Sequence, residues 1–142
     1  MSDVAVEVSM FERIGGALVI DRLVEGFYRR METLPEAKVI RTMHADDLGP
    51  TKNILKRYLC EWMGGPKLYS AEKGHPRLRQ RHMGFKIGAP ERDAWLLCMK
   101  GALEETVADV EARQEIYVLL AKLADWMRNQ ADNPHDMGAH RP

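Results

Sequence analysis

The sequence predicts an all-helical domain built on one hydrophobic core, and three observations carry that prediction. Apolar residues recur at three- and four-residue steps in four long segments, no segment alternates with the two-residue period of a strand, and 142 residues suffice for one core plus a small-molecule pocket. Helices that are apolar on one face bury it only by packing on one another.

Each element has its own signal. After a loose leader over residues 1–8, Ser9 caps a short helix that carries Phe11 and Ile14 and ends at Gly15-Gly16. Ile20, Leu23, Val24, Phe27, Tyr28 and Met31 mark one face of a helix over 18–31, closed by Leu34-Pro35. A short helical piece over 35–41 leads into Met43-His44-Ala45-Asp46-Asp47-Leu48. The next helix starts near Pro50, which a first turn tolerates, and presents Thr51, Ile54, Leu55, Tyr58, Leu59 and Trp62 on one face before Gly64-Gly65-Pro66 stops it. Between 66 and 88 no long periodicity survives, and a connection longer than about 12 to 15 residues in a compact domain is usually functional or disordered. Pro90 opens a long helix with Glu91 and Asp93 at its positive end and Trp95, Met99, Ala102, Leu103, Thr106 and Val110 on its buried face. The last helix, 111–130, presents Ile116, Leu119, Leu120, Leu123 and Met127, whereas the tail over 131–142 has no apolar face. The folded domain is thus expected over 9–130. Periodicity alone equally permits an ordinary helical bundle.

Composition excludes several classes of function. Twenty-one Lys and Arg balance 21 Asp and Glu, so no overall charge marks the chain for nucleic acid or an anionic membrane. Cys60 and Cys98 are the two cysteines, too few and too far apart for a disulfide scaffold or a thiolate zinc site. No Cys-x-x-Cys-His is present for covalent haem attachment. With no signal-peptide pattern and no apolar run near the roughly 20 residues that span a bilayer, a cytoplasmic location is expected.

Against this neutral background one stretch stands out: Gly74-His75-Pro76-Arg77-Leu78-Arg79-Gln80-Arg81-His82-Met83-Gly84-Phe85-Lys86-Ile87. A haem needs an axial imidazole, apolar contacts on its faces and cations at its carboxylates. Here His82 could supply the first, Leu78, Phe85 and Ile87 the second, and Arg79, Arg81 or Lys86 the third. Spacing alone favours the plainer reading, a solvated basic loop with an idle histidine.

The stretch resembles the proximal segment of the group II truncated haemoglobins, whose pattern runs Gly-His-Pro-Arg-Leu-Arg-x-Arg-His-x-Pro-Phe-x-Ile. It departs at Gly84, where the family usually has proline, which predicts a looser chain behind the ligand. The resemblance continues over about 11–130 through Gly15-Gly16, Phe27-Tyr28, Trp62-Met63-Gly64-Gly65-Pro66 with Tyr69, and Glu91-Arg92-Asp93-Ala94-Trp95. It implies two helices packed over two others, with a short first helix and a long, mostly extended loop before the proximal histidine. It also implies a non-covalent haem b whose iron His82 ligates.

On the distal side the resemblance places Tyr28 and Trp95 as donors to a small ligand, with Phe27 packed beneath them. Oxygen held at a ferrous haem carries partial negative charge, which a phenol O–H and an indole N–H stabilise. His44 falls in the turn where the family has tyrosine, phenylalanine or histidine, and would add a group that titrates near neutrality; a shift of one residue would put Met43 there. Thr51 falls where many globins carry a distal histidine, and its small side chain would leave an opening, while Leu55, one turn on, would press on the haem. Tyr69, Leu78, Phe85 and Ile87 complete the implied haem contacts, and Arg79 and Arg81 would pair with its propionates. His75 is expected to serve loop structure, His135 and His140 to be solvated, and Met83 to touch the porphyrin edge.

The implied function is reversible binding of oxygen, carbon monoxide, nitric oxide or peroxide at a histidine-ligated iron. A polar distal pocket suits chemistry or sensing more than bulk oxygen transport, so activities resembling a nitric oxide dioxygenase or a peroxidase follow, with an external reductant. Neither a nucleic-acid nor a membrane partner is expected, and the chain would act as a monomer or homodimer. From another class, a cofactor-free helical interaction module would dock an acidic partner on Arg77 to Lys86.

Overall fold

A computed structural model of the chain describes residues 8–74 and 76–129, apart from the Arg79 side chain. The expected leader before Val8, the loop role of His75, and the tail with His135 and His140 lie outside the described residues. Among the described residues there are eight α-helices and no strand, as the periodicity predicts.

Helix α1 (Met10–Ile14) begins where the Ser9 hydroxyl accepts from the Glu12 N–H at 3.1 Å and ends at Gly15 in the left-handed region, φ 118°. Helix α2 spans Ala17–Thr33, and extended Leu34 closes it. A 3₁₀ turn over Pro35–Ala37 runs into α3 (Lys38–Arg41). Helix α4 (Gly49–Trp62) holds Pro50 in its first turn. Gly65 follows it, so close to α1 that a Cβ would meet the Phe11 ring at 2.7 Å. Helices α7 (Ala89–Thr106) and α8 (Val110–Trp126) complete the long elements.

The connection between α4 and α7 corrects the expectation of a mostly extended loop. It contains α5 (Leu68–Lys73) and α6 (Leu78–His82), six and five residues long. Helices this short show no repeat for a sequence pattern to display.

Helix α2 packs chiefly on α7, α4 lies against α2, and α8 lies against α7, which gives the expected two-over-two arrangement. Ile20, Leu23, Val24, Phe27 and Met31 of α2 meet Cys98, Met99, Ala102 and Leu103 of α7 and Ile116 and Leu120 of α8 in a core closed to solvent. Each large side chain so buried contributes on the order of 1.5 to 3 kcal/mol.

Three residues expected in this core are outside it. Val110 is 50% exposed because the α7 stripe does not continue past extended Val107, which is buried in its place. Leu119, 45% exposed, instead lines an open groove with Met10, Trp62 and Leu123. Helix α4 commits Leu59 and Cys60 to the core and leaves Ile54 37% exposed.

Ion pairs set the helix register at the surface. Lys56 reaches Asp21 at 2.7 Å and Glu25 at 2.8 Å, linking α4 to α2, while Arg29 and Arg30 converge on Glu105 at 2.6 and 2.7 Å, linking α2 to α7. Exposed pairs contribute little each. No described helix is long and apolar enough to cross a membrane.

Asp109 caps α8 by accepting from the Ala112 N–H at 3.1 Å and ties it to α1 through Arg13 at 3.0 Å. Those two contacts, the cap first, hold its carboxyl below the usual carboxylate range. A carboxylate with a lowered folded value adds stability above its unfolded pKa of about 3.9 and loses it as pH falls through the folded value. Asp109→Ala should therefore lower the thermal midpoint by a few degrees at pH 7, with the gap closing towards pH 2. A gap of equal size at both pH values would contradict the capping and pairing assigned to Asp109.

Candidate functional site

The site is built from two halves, one carried by α5, α6 and the loop after them, the other by α2, α7 and the turn after α3. The first half begins with two left-handed residues, Gly74 at φ 72° and Arg77 at φ 48°. Arg77 caps α6 in a conformation that costs a non-glycine residue roughly 1 to 2 kcal/mol. Arg81 folds back over this start, its Nε donating to the Pro76 carbonyl at 2.7 Å.

Helix α6 ends at His82, whose Nδ1 lies 2.6 Å from the Leu78 carbonyl oxygen. A carbonyl only accepts, so Nδ1 carries a proton, and in the neutral tautomer Nε2 is the nitrogen with the lone pair. The ring is half-buried, with Leu78 and Ile87 half-buried as well, while Met83 and Phe85 are 50% and 44% exposed. An imidazole with a bare nitrogen thus lies in a segment rich in uncovered apolar surface. Lys86 is exposed in the same loop.

Helix α5 is attached by Glu61, whose carboxylate accepts from the Ser70 N–H at 2.8 Å and is held below its ordinary range chiefly by that bond. The attachment fixes buried Tyr69 edge-on against Tyr58 of α4, with ring centroids 5.7 Å apart. Thr51 and Leu55 precede Tyr58 at helical spacing on α4, all three half-buried, so this stripe leads from the start of α4 to Tyr69.

In the second half, Phe27 is fully buried and touches Tyr28 at 4.9 Å and Trp95 at 5.2 Å between centroids. The His44 ring meets Tyr28 at 5.9 Å, which joins His44 to this cluster. Its Nδ1 lies 2.8 Å from the Ile40 carbonyl, to which it donates, so in the neutral tautomer Nε2 is the acceptor. Burial pushes the Tyr28 phenol well above its usual value and keeps it a neutral donor. Neither the Tyr28 hydroxyl nor the Trp95 indole N–H has a hydrogen-bond partner among the described residues. Both rings meet Phe27, and each carries a donor that a small polar ligand could take.

Sequence reasoning missed Asn129, whose side chain binds the loop after His82, and the attachment by Glu61. Neither lies in a motif or on a periodic face, and both act through contacts distant in sequence.

The sequence profile of the family described as Bacterial-like globin matches residues 9–129. A curated relative, "Group 2 truncated hemoglobin YjbI" of Bacillus subtilis (strain 168), is 37% identical over 122 residues, covering 86% of this chain and 89% of that protein. The chain belongs to the group II truncated haemoglobins.

Solved globins agree. The group II 2-on-2 haemoglobin of the plant pathogen Agrobacterium tumefaciens superposes with a TM-score of 0.86 at 40% identity, over 92% of this chain and 99% of that one. The haemoglobin of the thermophilic phototrophic bacterium Chloroflexus aurantiacus gives 0.80 at 40% identity, over 87% and 100%. As a globin, the chain binds a non-covalent haem with iron and, through it, small diatomic ligands such as oxygen. The donor set fits such a group: a half-buried imidazole with its Nε2 bare, and apolar side chains beside it. The cofactor-free interaction module does not describe a member of this family.

Burial lifts Tyr28 furthest and pushes Tyr58 up to about 12. A phenol with a raised folded value adds stability below its unfolded pKa of about 10 and loses it as pH rises through the folded value. Alkaline titration of the four tyrosines should therefore show a late phase that coincides with unfolding, and Tyr28→Phe should reduce that phase alone. Loss of amplitude from the early phase would contradict the burial of Tyr28.

Proposed function

We propose that His82 is the axial ligand of the haem iron, and that Tyr28, Trp95 and His44 surround the diatomic ligand on the other face. The observation that carries this reading is the His82 ring. Its Nδ1–H is held by the Leu78 carbonyl at 2.6 Å, which orients the ring and, in the neutral tautomer, makes Nε2 the nitrogen offered to a metal. When bound, the haem supplies a ferrous iron that takes oxygen and related diatomic molecules.

The chain's own groups do the rest. Leu55, Leu78, Phe85 and Ile87 cover the apolar parts of the haem, and Met83, half-exposed, extends that surface. Arg81 pairs with its carboxylates, with N–H groups to spare after its bond to Pro76, as the resemblance also implies for Arg79, and Tyr69 completes the haem contacts. On the distal side the neutral Tyr28 phenol and the Trp95 indole donate to the ligand, and His44, against the Tyr28 ring, adds a third polar group. Phe27 fixes both donors from below, and Thr51 leaves room at the start of α4. Two donors converging on one small ligand oppose its departure. Slow release supports redox chemistry or sensing with oxygen, nitric oxide or peroxide, fed by an external reductant, over bulk oxygen delivery.

His82→Ala should lose most haem affinity, and full haem occupancy with an unaltered ferrous spectrum would defeat the assignment. Tyr28→Phe and Trp95→Phe should each speed oxygen dissociation, since a charge-assisted donor contributes about 1 to 3 kcal/mol, or roughly 5- to 150-fold. Stopped-flow off-rates unmoved in both variants would remove them from the ligand's surroundings.

A further inference from the structure

The residues that follow His82 are poorly secured by their own sequence. Met83 and Phe85 are largely exposed, and Gly84 sits where an added Cβ would meet nothing within 4 Å. Within the turn, the Phe85 N–H reaches the His82 carbonyl at 3.1 Å and the Met83 N–H reaches Gln80 at 3.3 Å. Glycine at the centre of such a turn leaves the backbone its widest freedom.

One residue from the far end of the chain closes it. The Asn129 side-chain amide donates to the His82 carbonyl at 3.1 Å and to the Phe85 carbonyl at 2.8 Å, while its oxygen accepts from the Ile87 N–H at 2.9 Å. The Asn129 backbone N–H donates to the Ile87 carbonyl at 2.8 Å. Carbonyls only accept and an amide N–H only donates, so these partners force the orientation of the side-chain amide. Both of its hydrogens and its oxygen are engaged by a single loop. No shorter polar side chain reaches all three, and aspartate lacks the hydrogens.

The base of this clamp is itself fixed. Asp125, one turn back on α8, pairs with Arg92 of α7 at 2.7 Å, so the end of α8 is held against the start of α7. Gly88 at that start donates its N–H to Glu91 at 2.7 Å, which secures the other end of the loop. The His82–Ile87 segment is thereby held between two anchored helix ends, with Asn129 as the bridge to its middle.

We propose that Asn129 is a positioning residue for the proximal histidine, holding the His82 backbone and the turn through Gly84 so that the imidazole keeps one orientation towards the iron. The proposal rests on His82 being the axial ligand. Its special feature is that a polar clamp from the end of α8 does the work that a stiffer residue at position 84 would do locally.

The test uses full-length, haem-loaded protein carrying Asn129→Ala, Asn129→Asp, or Asn129→Ala with Gly84→Ala. Resonance Raman of the ferrous, ligand-free form reads the iron–histidine stretch, and transfer to excess apomyoglobin reads haem loss. Both single variants should broaden or shift the stretch and raise the haem-loss rate about tenfold, the scale of one to two lost hydrogen bonds. Adding Gly84→Ala, which narrows the turn and meets no atom, should recover about two- to fivefold of that loss. In haem-free protein, amide exchange at Ile87 should quicken in Asn129→Ala. An unmoved stretch and unmoved haem loss in both single variants would overturn the proposal. So would faster haem loss that tracks lower global stability with the stretch unchanged. An iron–histidine stretch that survives His82→Ala would instead defeat the ligand assignment beneath it.

Discussion

The burial of Phe27 between α2 and α7 is the constraint on which the distal half depends. The side chain has no solvent exposure, and its ring meets Tyr28 nearly edge-on at an interplanar angle of 82° and Trp95 at 60°. Successive residues on a helix point about 100° apart, so locking Phe27 into the core sets Tyr28 at the core's margin. Trp95, from the facing helix, is held by the same ring. Aromatic contacts of this kind contribute about 0.5 to 1.5 kcal/mol beyond their buried area. Tyr28 and Trp95 thus inherit their positions from a fully buried ring, which is what the proposed role as donors to a diatomic ligand requires.

The proximal half is secured by different physics. Helix α6 has five residues, and none of its described side chains is fully buried, so packing gives His82 little orientation. Hydrogen bonds take over: Leu78 holds the ring, Asn129 holds the backbone behind it, and Glu61 holds the preceding helix. Polar attachment of this sort leaves the apolar surface of Met83 and Phe85 uncovered for a flat apolar group. The two histidines share one device, an Nδ1–H given to the carbonyl four residues earlier, which fixes the tautomer without any charged partner.

What was legible in the sequence follows from range. Caps and stops such as Ser9 and Gly15 act within a few residues, and the long helices display their period over several turns. The Tyr28, Trp95 and His82 positions come from motif resemblance, not from periodicity; in the structure the Phe27 ring meets Tyr28 and Trp95, and His44 meets Tyr28. The stretch between α4 and α7 reads as a loop because α5 and α6 are too short to show a period. Val110 reads as core because the apolar stripe runs on through the backbone break at Val107. Asn129 carries no local signal at all, since its partners lie more than forty residues away.

Membership of the group II truncated haemoglobins and the geometry of the two halves meet in one claim: a haem iron reached by His82 on one side and by a diatomic ligand on the other. The absorption spectrum of the purified, haem-loaded protein, recorded as isolated, after dithionite and after carbon monoxide, tests it most directly. A Soret band that shifts on reduction and again with carbon monoxide is the predicted result. A chain that shows no Soret band even after haem addition, or one whose reduced band ignores carbon monoxide, would contradict it.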